Sequence, residues 1–193
     1  MSEKNLSPEL LESVVAKAQA GDQASFTQIF DWYFDRIFRY TSFRVDDEAC
    51  EDIVGDIFLK VVQNLGKYKP QPKSGFSAWI YRIAHNTIID HYRKKKEITG
   101  YAEEDDDQDF WETLPDEINL LPDEEVHNRL QYKKLHKALK ELKPIHREVL
   151  ELRFLEGFSN KEVGQILGRT EGNIRILQLR GLREIRKFLE DKK

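Results

Sequence analysis

A chain of 193 residues, 39% hydrophobic and 34% charged, is long enough for one large domain or two small ones and has a heavily ionised surface. No apolar run approaches the length of a membrane span, Met1 to Leu10 lacks the basic-then-apolar layout of a signal peptide, and the lone Cys50 excludes an internal disulfide and any multi-cysteine zinc site, so a cytoplasmic protein with no membrane span is expected. The net charge of −4 is segregated: 13 acidic residues and no Lys or Arg lie between Glu97 and His127, leaving 31 basic against 22 acidic residues elsewhere, a balance that suits nucleic acid as well as ordinary solvated helix faces.

Nearly every periodic segment predicts helix, and strand signals are almost absent. Ser7-Pro8 reads as an N-cap followed by proline at the first helical position, with a stop near Gly21-Asp22. A second helix starts at Asp22 or Ser25 and aligns Phe26, Ile29, Phe30, Tyr33, Ile37 and Tyr40 on one face. A third starts near Asp46-Asp47, buries Cys50, Ile53, Val54, Ile57, Val61 and Leu65, and stops at Gly66. Pro70, Pro72 and Gly75 mark a loop over Tyr68 to Ser77. A fourth helix covers about Ala78 to Lys96, with Ile80, Ile83, Ala84, Thr87 and His91 inward. The acidic stretch that follows is too polar for a core of its own. Helical pattern resumes near Glu124, where Leu130, Leu135, Ala138, Leu139 and Leu142 share a face. Pro144 opens a helix holding Ile145, Val149, Leu152 and Phe154, closed by Gly157. Ser159 and Glu162 form a capping box for a short helix that buries Val163, Ile166 and Leu167. After the turn Gly168-Arg169-Thr170, a last helix runs from about Glu171 to Leu189. The expected fold is all-α: two small helical domains, 1–96 and 128–193, joined by an acidic flexible linker, 97–127.

Short helix, glycine turn and long basic helix are the parts of a helix-turn-helix, whose second helix enters the major groove. At about 100° per residue, Ile174, Leu177, Gly181, Ile185 and Phe188 form the inward stripe of that helix. Arg175, Ile176, Leu179, Arg180, Arg183 and Arg186 stand opposite. Arginine pairs with phosphates or guanine edges, and aliphatics meet thymine methyls. The helix start, Thr170 to Asn173, offers backbone N–H groups to a phosphate. A helical hairpin with solubilising arginines, or a protein-docking patch at Ile176 and Leu179, fits the same pattern.

In the fourth helix Arg82, Asn86, Ile89 and Arg93 form one outward row, ending in the run Arg93 to Lys96. The preceding loop contributes Lys69, Lys73, Ser74, Gly75 and Phe76, with Trp79 and Tyr81 at the junction. Cations that follow a backbone, beside aromatic walls that hold an unstacked base, are the chemistry of single-strand binding, although Trp79 and Phe76 also suit a core. The third helix turns Glu51, Asp52, Asp56, Leu59 and Gln63 outward, a poor DNA surface that reads as a solvated face or a protein-docking face.

These runs resemble the extracytoplasmic-function sigma factors of bacterial RNA polymerase. AQAGDQASFTQIFDWYFDRIFRY, Ala18 to Tyr40, is similar to the start of sigma region 2; DDEACEDIVGDIFLKVVQNL, Asp46 to Leu65, to region 2.2; GFSAWIYRIAHNTIIDHYRKKK, Gly75 to Lys96, to regions 2.3–2.4; and LKPIHREVLELRFLEGFSNKEVGQILGRTEGNIRILQLRGLREIR, Leu142 to Arg186, to region 4. The resemblance implies a promoter-recognition subunit, not an enzyme. It implies that Asp52 and Asp56, with Leu59 beside them, dock on core RNA polymerase. Lys73, Ser74, Gly75 and Phe76, with Arg82, Asn86 and Arg93, would hold the −10 single strand. Thr170, Asn173, Arg175, Ile176, Leu179, Arg180 and Arg183 would read the −35 duplex. The acidic linker would thread toward the polymerase channels as a nucleic-acid mimic, and an anti-sigma factor would be the regulatory partner. Family members often have a small polar residue where Ile176 stands, and no extra C-terminal domain or N-terminal inhibitory region is expected.

The alternative is a stand-alone helix-turn-helix transcriptional regulator. Neither cofactor nor metal is expected. His85 and His91 do not share a helix face, and His127, His136 and His146 lack carboxylates or cysteines at ligand spacing. Asp105, Asp107 and Asp109 hint at a calcium loop, but Phe110 stands where glycine is needed.

Overall fold

The computed structural model describes residues 7–70, 75–99, 139 and 141–190. All regular structure among them is helical, and the chain divides into two compact units, Met1–Lys95 and Lys96–Lys193. The first unit is built from α1 (Pro8–Gln19), α2 (Gln23–Ser42), α3 (Asp47–Leu65) and α4 (Phe76–Thr99). The second contains α5 (Pro144–Leu150), α6 (Asn160–Ile166) and α7 (Glu171–Glu190). The acidic stretch beyond Thr99, including the Asp105–Asp109 run, lies outside the described residues, as does most of the helix expected from Glu124 to Leu142. Of that helix, Leu139 and Leu142 are described; both are buried against Leu150, with Ile185 alongside.

Local chemistry sets the helix ends. Ser7 Oγ accepts from Leu10 N–H at 3.2 Å, with Pro8 in the first turn of α1. Gly21 takes φ +95°, the left-handed step that ends α1. Asp22 then caps α2, accepting from Ser25 N–H at 3.0 Å and Ser25 Oγ at 2.5 Å, and these bonds hold its carboxyl below the usual carboxylate range. Asp46 precedes α3 without capping it; its carboxylate meets Lys95 Nζ at 3.1 Å instead. Gly66 follows α3 with φ −63°, so this stop does not use left-handed freedom.

The core of the first unit contains Val14 and Val15 of α1, Ile29, Tyr33 and Ile37 of α2, Ile53, Val54, Ile57 and Val61 of α3, and Ile80, Ala84 and Ile88 of α4, all buried. Its α2–α3 corner is tied down by Arg44, which is 4% exposed, lies 3.8 Å over the Tyr40 ring and donates to Tyr40 O at 2.7 Å. Tyr92 of α4 donates its hydroxyl to Arg44 O at 2.6 Å.

In the second unit, α5 does not end where its apolar pattern suggests. It passes into a π turn over Glu151–Leu155, with Glu156 N–H reaching Glu151 O at 3.0 Å. The wider turn rotates the register, and Phe154, expected inward, is 55% exposed. Leu152 stays fully buried, and Phe158 takes an inward place, its carbonyl accepting from the Arg153 guanidinium. The capping box closes as expected, with Glu162 N–H on Ser159 Oγ at 3.2 Å and Ser159 N–H on Glu162 Oε2 at 2.8 Å. Gly168 supplies the left-handed step (φ +65°), and Thr170 Oγ1 accepts from Asn173 N–H at 3.3 Å to start α7.

Two glycines permit close approach. A Cβ on Gly181 would stand 3.0 Å from Leu150 Cδ1 and 3.2 Å from His146 Cβ, where α7 crosses α5. A Cβ on Gly164 would stand 2.6 Å from the carbonyl oxygen of Arg169, in the turn between α6 and α7. Backbone yields less readily than a side-chain tip. Gly164→Ala is therefore expected to destabilise the second unit by about 1–3 kcal/mol, and Gly181→Ala by less, in urea denaturation followed by circular dichroism.

Candidate nucleic-acid interface

Helix α7 is partitioned as its sequence predicts. Ile174 and Leu177 are buried, Gly181 packs on α5, and Ile185 and Phe188 are half-buried. Thr170, Asn173, Arg175, Arg180, Arg183 and Arg186 are exposed, as are Ile176 (52%) and Leu179 (49%). Leu182, 41% exposed, belongs to the same surface and was missed, although it stands three residues past Leu179 on one row. The structure adds a constraint on Arg175: its guanidinium pairs with Glu171 one turn earlier, at 2.5 Å, with both side chains exposed. Three aliphatics set among arginines, on a helix whose opposite side packs on its own unit, give a face with cations for phosphate and apolar tips for base edges.

Helix α4 is divided likewise. Arg82, Asn86 and Arg93 are exposed in one row, with Ile89 half-buried between them. The inward face is broader than expected: Tyr81, His85, Ile88 and Tyr92 join Ile80, Ala84 and Thr87, while Ile83 and His91 are only half-buried. Lys94 is exposed beside Arg93, and Lys95 reaches Asp46.

Phe76 requires a correction. The sequence reading puts it with the strand-contacting residues, but its side chain has no exposure. Its ring lies 5.2 Å from Tyr68, 5.2 Å from Trp79 and 5.8 Å from Tyr33. A phenyl ring enclosed by three aromatics gains more from burial than it could from partial contact with solvent, so Phe76 is a core anchor at the start of α4. Gly75 beside it is exposed, and Lys73 and Ser74 lie outside the described residues. Burial raises the Tyr68 hydroxyl pKa, and its bond to Glu12 raises it further.

On α3, Asp52, Asp56 and Leu59 are exposed, Leu59 at 54%, and Val62 joins them at 49%. Lys60 of the same helix pairs with Asp90 of α4 at 3.1 Å. Among the described residues no group of three metal-ligating side chains converges, and no helix is long and apolar enough to cross a membrane.

Residues 30–98 match sigma-70 region 2, and residues 138–187 match sigma-70 region 4. This chain belongs to the extracytoplasmic-function sigma factors. It is 31% identical over 182 residues to the ECF RNA polymerase sigma factor BldN of Streptomyces coelicolor, an alignment that covers 92% of this chain and 65% of BldN. It is 29% identical over 186 residues to the ECF RNA polymerase sigma factor SigW of Bacillus subtilis, covering 94% of this chain and 98% of SigW. Two solved structures share the fold. CnrH, in complex with the cytosolic domain of CnrY, aligns with a TM-score of 0.63 at 21% identity, covering 93% of this chain and 97% of CnrH. The sigma factor RpoE of Bartonella quintana, in complex with the anti-sigma factor NepR, aligns with a TM-score of 0.65 at 19% identity, covering 87% and 98% of the two chains. Helices α2 to α4 thus carry the region 2 match, with α1 ahead of it, and α5 to α7 carry region 4.

His91, on the face of α4 next to the exposed row, has its imidazole pKa lowered by burial and by Lys95, against the opposing pull of Asp46 and Asp56. The unfolded chain therefore takes this proton first. Its stabilising contribution is complete above the ordinary value of 6.5 and is lost as pH falls below that toward the folded value. The first unit is expected to melt at lower temperature at about pH 5 than at about pH 7.5, with a shallower dependence in His91→Gln, measured by thermal denaturation across pH.

Proposed function

We propose that this sigma factor directs core RNA polymerase to its promoters by binding two DNA elements with its two units. The observation that carries the reading is the presence on one chain, in order, of regions 2 and 4, each presenting an exposed row of basic and polar side chains. Region 4 grips the −35 duplex through Thr170, Asn173, Ile176, Leu179, Arg180 and Arg183, with Arg175 alongside. Region 2 holds the −10 strand through Lys73, Ser74, Gly75, Arg82, Asn86 and Arg93 as bases unstack, while Asp52, Asp56 and Leu59 dock on core polymerase. Residues 97–127 act as the acidic linker between them. Trapping unstacked bases favours the open strand, and the polymerase performs the bond-forming chemistry, so the chain acts in the cytoplasm as a specificity subunit and not as an enzyme. An anti-sigma factor is the proposed regulatory partner; the RpoE structure contains one.

Run-off transcription with core polymerase and a genomic promoter library tests the reading: new start sites are expected with the chain and absent without it. Gel shift with and without core polymerase tests the stand-alone alternative, which requires operator binding by the chain alone. Arg180→Ala is expected to weaken −35 duplex binding by about 1–3 kcal/mol. Arg175→Ala should cost less, because Arg175 must give up an exposed ion pair worth about 0–1 kcal/mol before it meets DNA. Asn86→Ala is expected to impair open-complex formation, read by permanganate footprinting, more than −35 binding; equal loss of both would count against the assignment.

A further inference from the structure

Glu171 is the sole acidic residue from Thr170 to Arg183, a stretch that carries Arg175, Arg180 and Arg183. The next carboxylate along α7, Glu184, turns to His146 Nδ1 at 2.9 Å. Glu171 is the first residue of α7 and shares one row with Arg175, Leu179 and Leu182, at steps of four and three, and all four are exposed. Its Oε1 accepts from Arg175 Nη2 at 2.5 Å. The helix start already has its cap in Thr170 Oγ1, which accepts from Asn173 N–H. An acid therefore stands at the tip of an otherwise basic face, and its partner is one of the arginines of that face.

The N-terminal end of a recognition helix is the part that meets base edges. An acid there is repelled by phosphates, and it also sets a condition on Arg175. To reach DNA the guanidinium must leave Glu171, and the carboxylate left behind then needs a donor. Phosphate oxygens, guanine O6 and N7, and thymine O4 are all acceptors and cannot supply one. Cytosine N4 can. The adenine amine lies beside the N7 acceptor, which repels a carboxylate, so cytosine is the better fit. A guanidinium on guanine O6 and N7, next to a carboxylate on cytosine N4, leaves both charges partnered.

We propose that Glu171 is a specificity-determining residue of the −35 reader: it withholds Arg175 from phosphate and releases it where a cytosine amine takes the carboxylate and a guanine edge takes the guanidinium. The inference rests on the −35 role given to α7 above. Specificity of this kind comes from penalising the wrong partner as well as from holding the right one. It differs from a helix-stabilising role in its signature, because it acts at one or two adjacent base pairs, whereas a weakened helix would lower binding to every sequence alike.

The test uses the full chain assembled with core polymerase and a promoter that the wild-type holoenzyme selects, together with every single-base-pair change across its −35 element, in competition binding. The wild type is expected to prefer C·G at one position by about tenfold, the scale of one base-edge contact. Glu171→Gln should abolish that preference and leave the preferences at positions beyond the adjacent base pair unchanged. It should also raise binding of the disfavoured duplexes by about three- to fivefold, the scale of an exposed ion pair that no longer has to be broken. Glu171→Asp keeps the charge at the helix start but withdraws the carboxylate by one methylene, and it should lose the same preference. Arg175→Gln should lose it too, and the double variant should lose no more than either single one. Association with core polymerase should be unchanged throughout. An unaltered preference at every position in Glu171→Gln overturns the proposal, as does a loss shared equally by all sequences. A wild-type holoenzyme indifferent to every change in the −35 element overturns the underlying reading of α7, and the proposal with it.

Discussion

Enclosure of the Phe76 ring governs the geometry of the first unit. With no exposed surface, it sits among Tyr33 of α2, Tyr68 after α3 and Trp79 one turn along α4. Full burial of such a ring is worth about 1.5–3 kcal/mol, and each well-oriented aromatic pair adds about 0.5–1.5 kcal/mol. That single site fixes where α4 begins, how α4 is rotated, and where the preceding segment must start and finish. The outward row of Arg82, Asn86 and Arg93 is a consequence, because a helix whose first residue is locked has no freedom left to choose its solvent face.

The second unit solves a related problem with small residues. Gly181 lets α7 lie close on Leu150 and His146, and Gly164 lets the turn carbonyl of Arg169 pass beside α6. His146 Nδ1 also meets Glu184 Oε2 at 2.9 Å across the same crossing. With its back fixed in this way, α7 turns its arginines and aliphatics outward together. Helix-turn-helix geometry depends on such close approach, since the second helix must stand clear of its own domain to enter a groove.

Under the proposed function, the two exposed faces suit different forms of DNA. On α7 a dense row of arginines with exposed aliphatics suits intact duplex, where phosphates flank a groove lined by base edges. On α4 the exposed row is sparser and mixed, beside a loop whose ends are anchored in aromatics, which suits a strand with free bases. The acidic row of α3 faces neither task and is free for a protein surface.

Local pattern located the described α-helices, the N-caps at Ser7 and Thr170, the capping box of Ser159 and Glu162, a start for α2 at Asp22 or Ser25, and the outward set on α7 apart from Leu182, because those depend on residues within one or two turns of each other. Family resemblance in the same sequence supplied the two regions and their order. Three features needed the tertiary structure. Phe76 changed from surface to core because its ring partners come from Tyr33 and Tyr68, remote in sequence, and no local pattern distinguishes an aromatic that stacks on a base from one that stacks on its own protein. Phe154 turned outward because a π turn after α5 shifts the register, a backbone choice the apolar spacing does not encode. Gln19 and Glu12 read as ordinary polar positions on α1, and their hold on Leu65 and Tyr68 spans about fifty residues of chain. Sequence determined which helices form and which faces they bury; only packing decided which polar and aromatic groups from distant helices would meet, because that depends on how the helices are docked and not on any one of them.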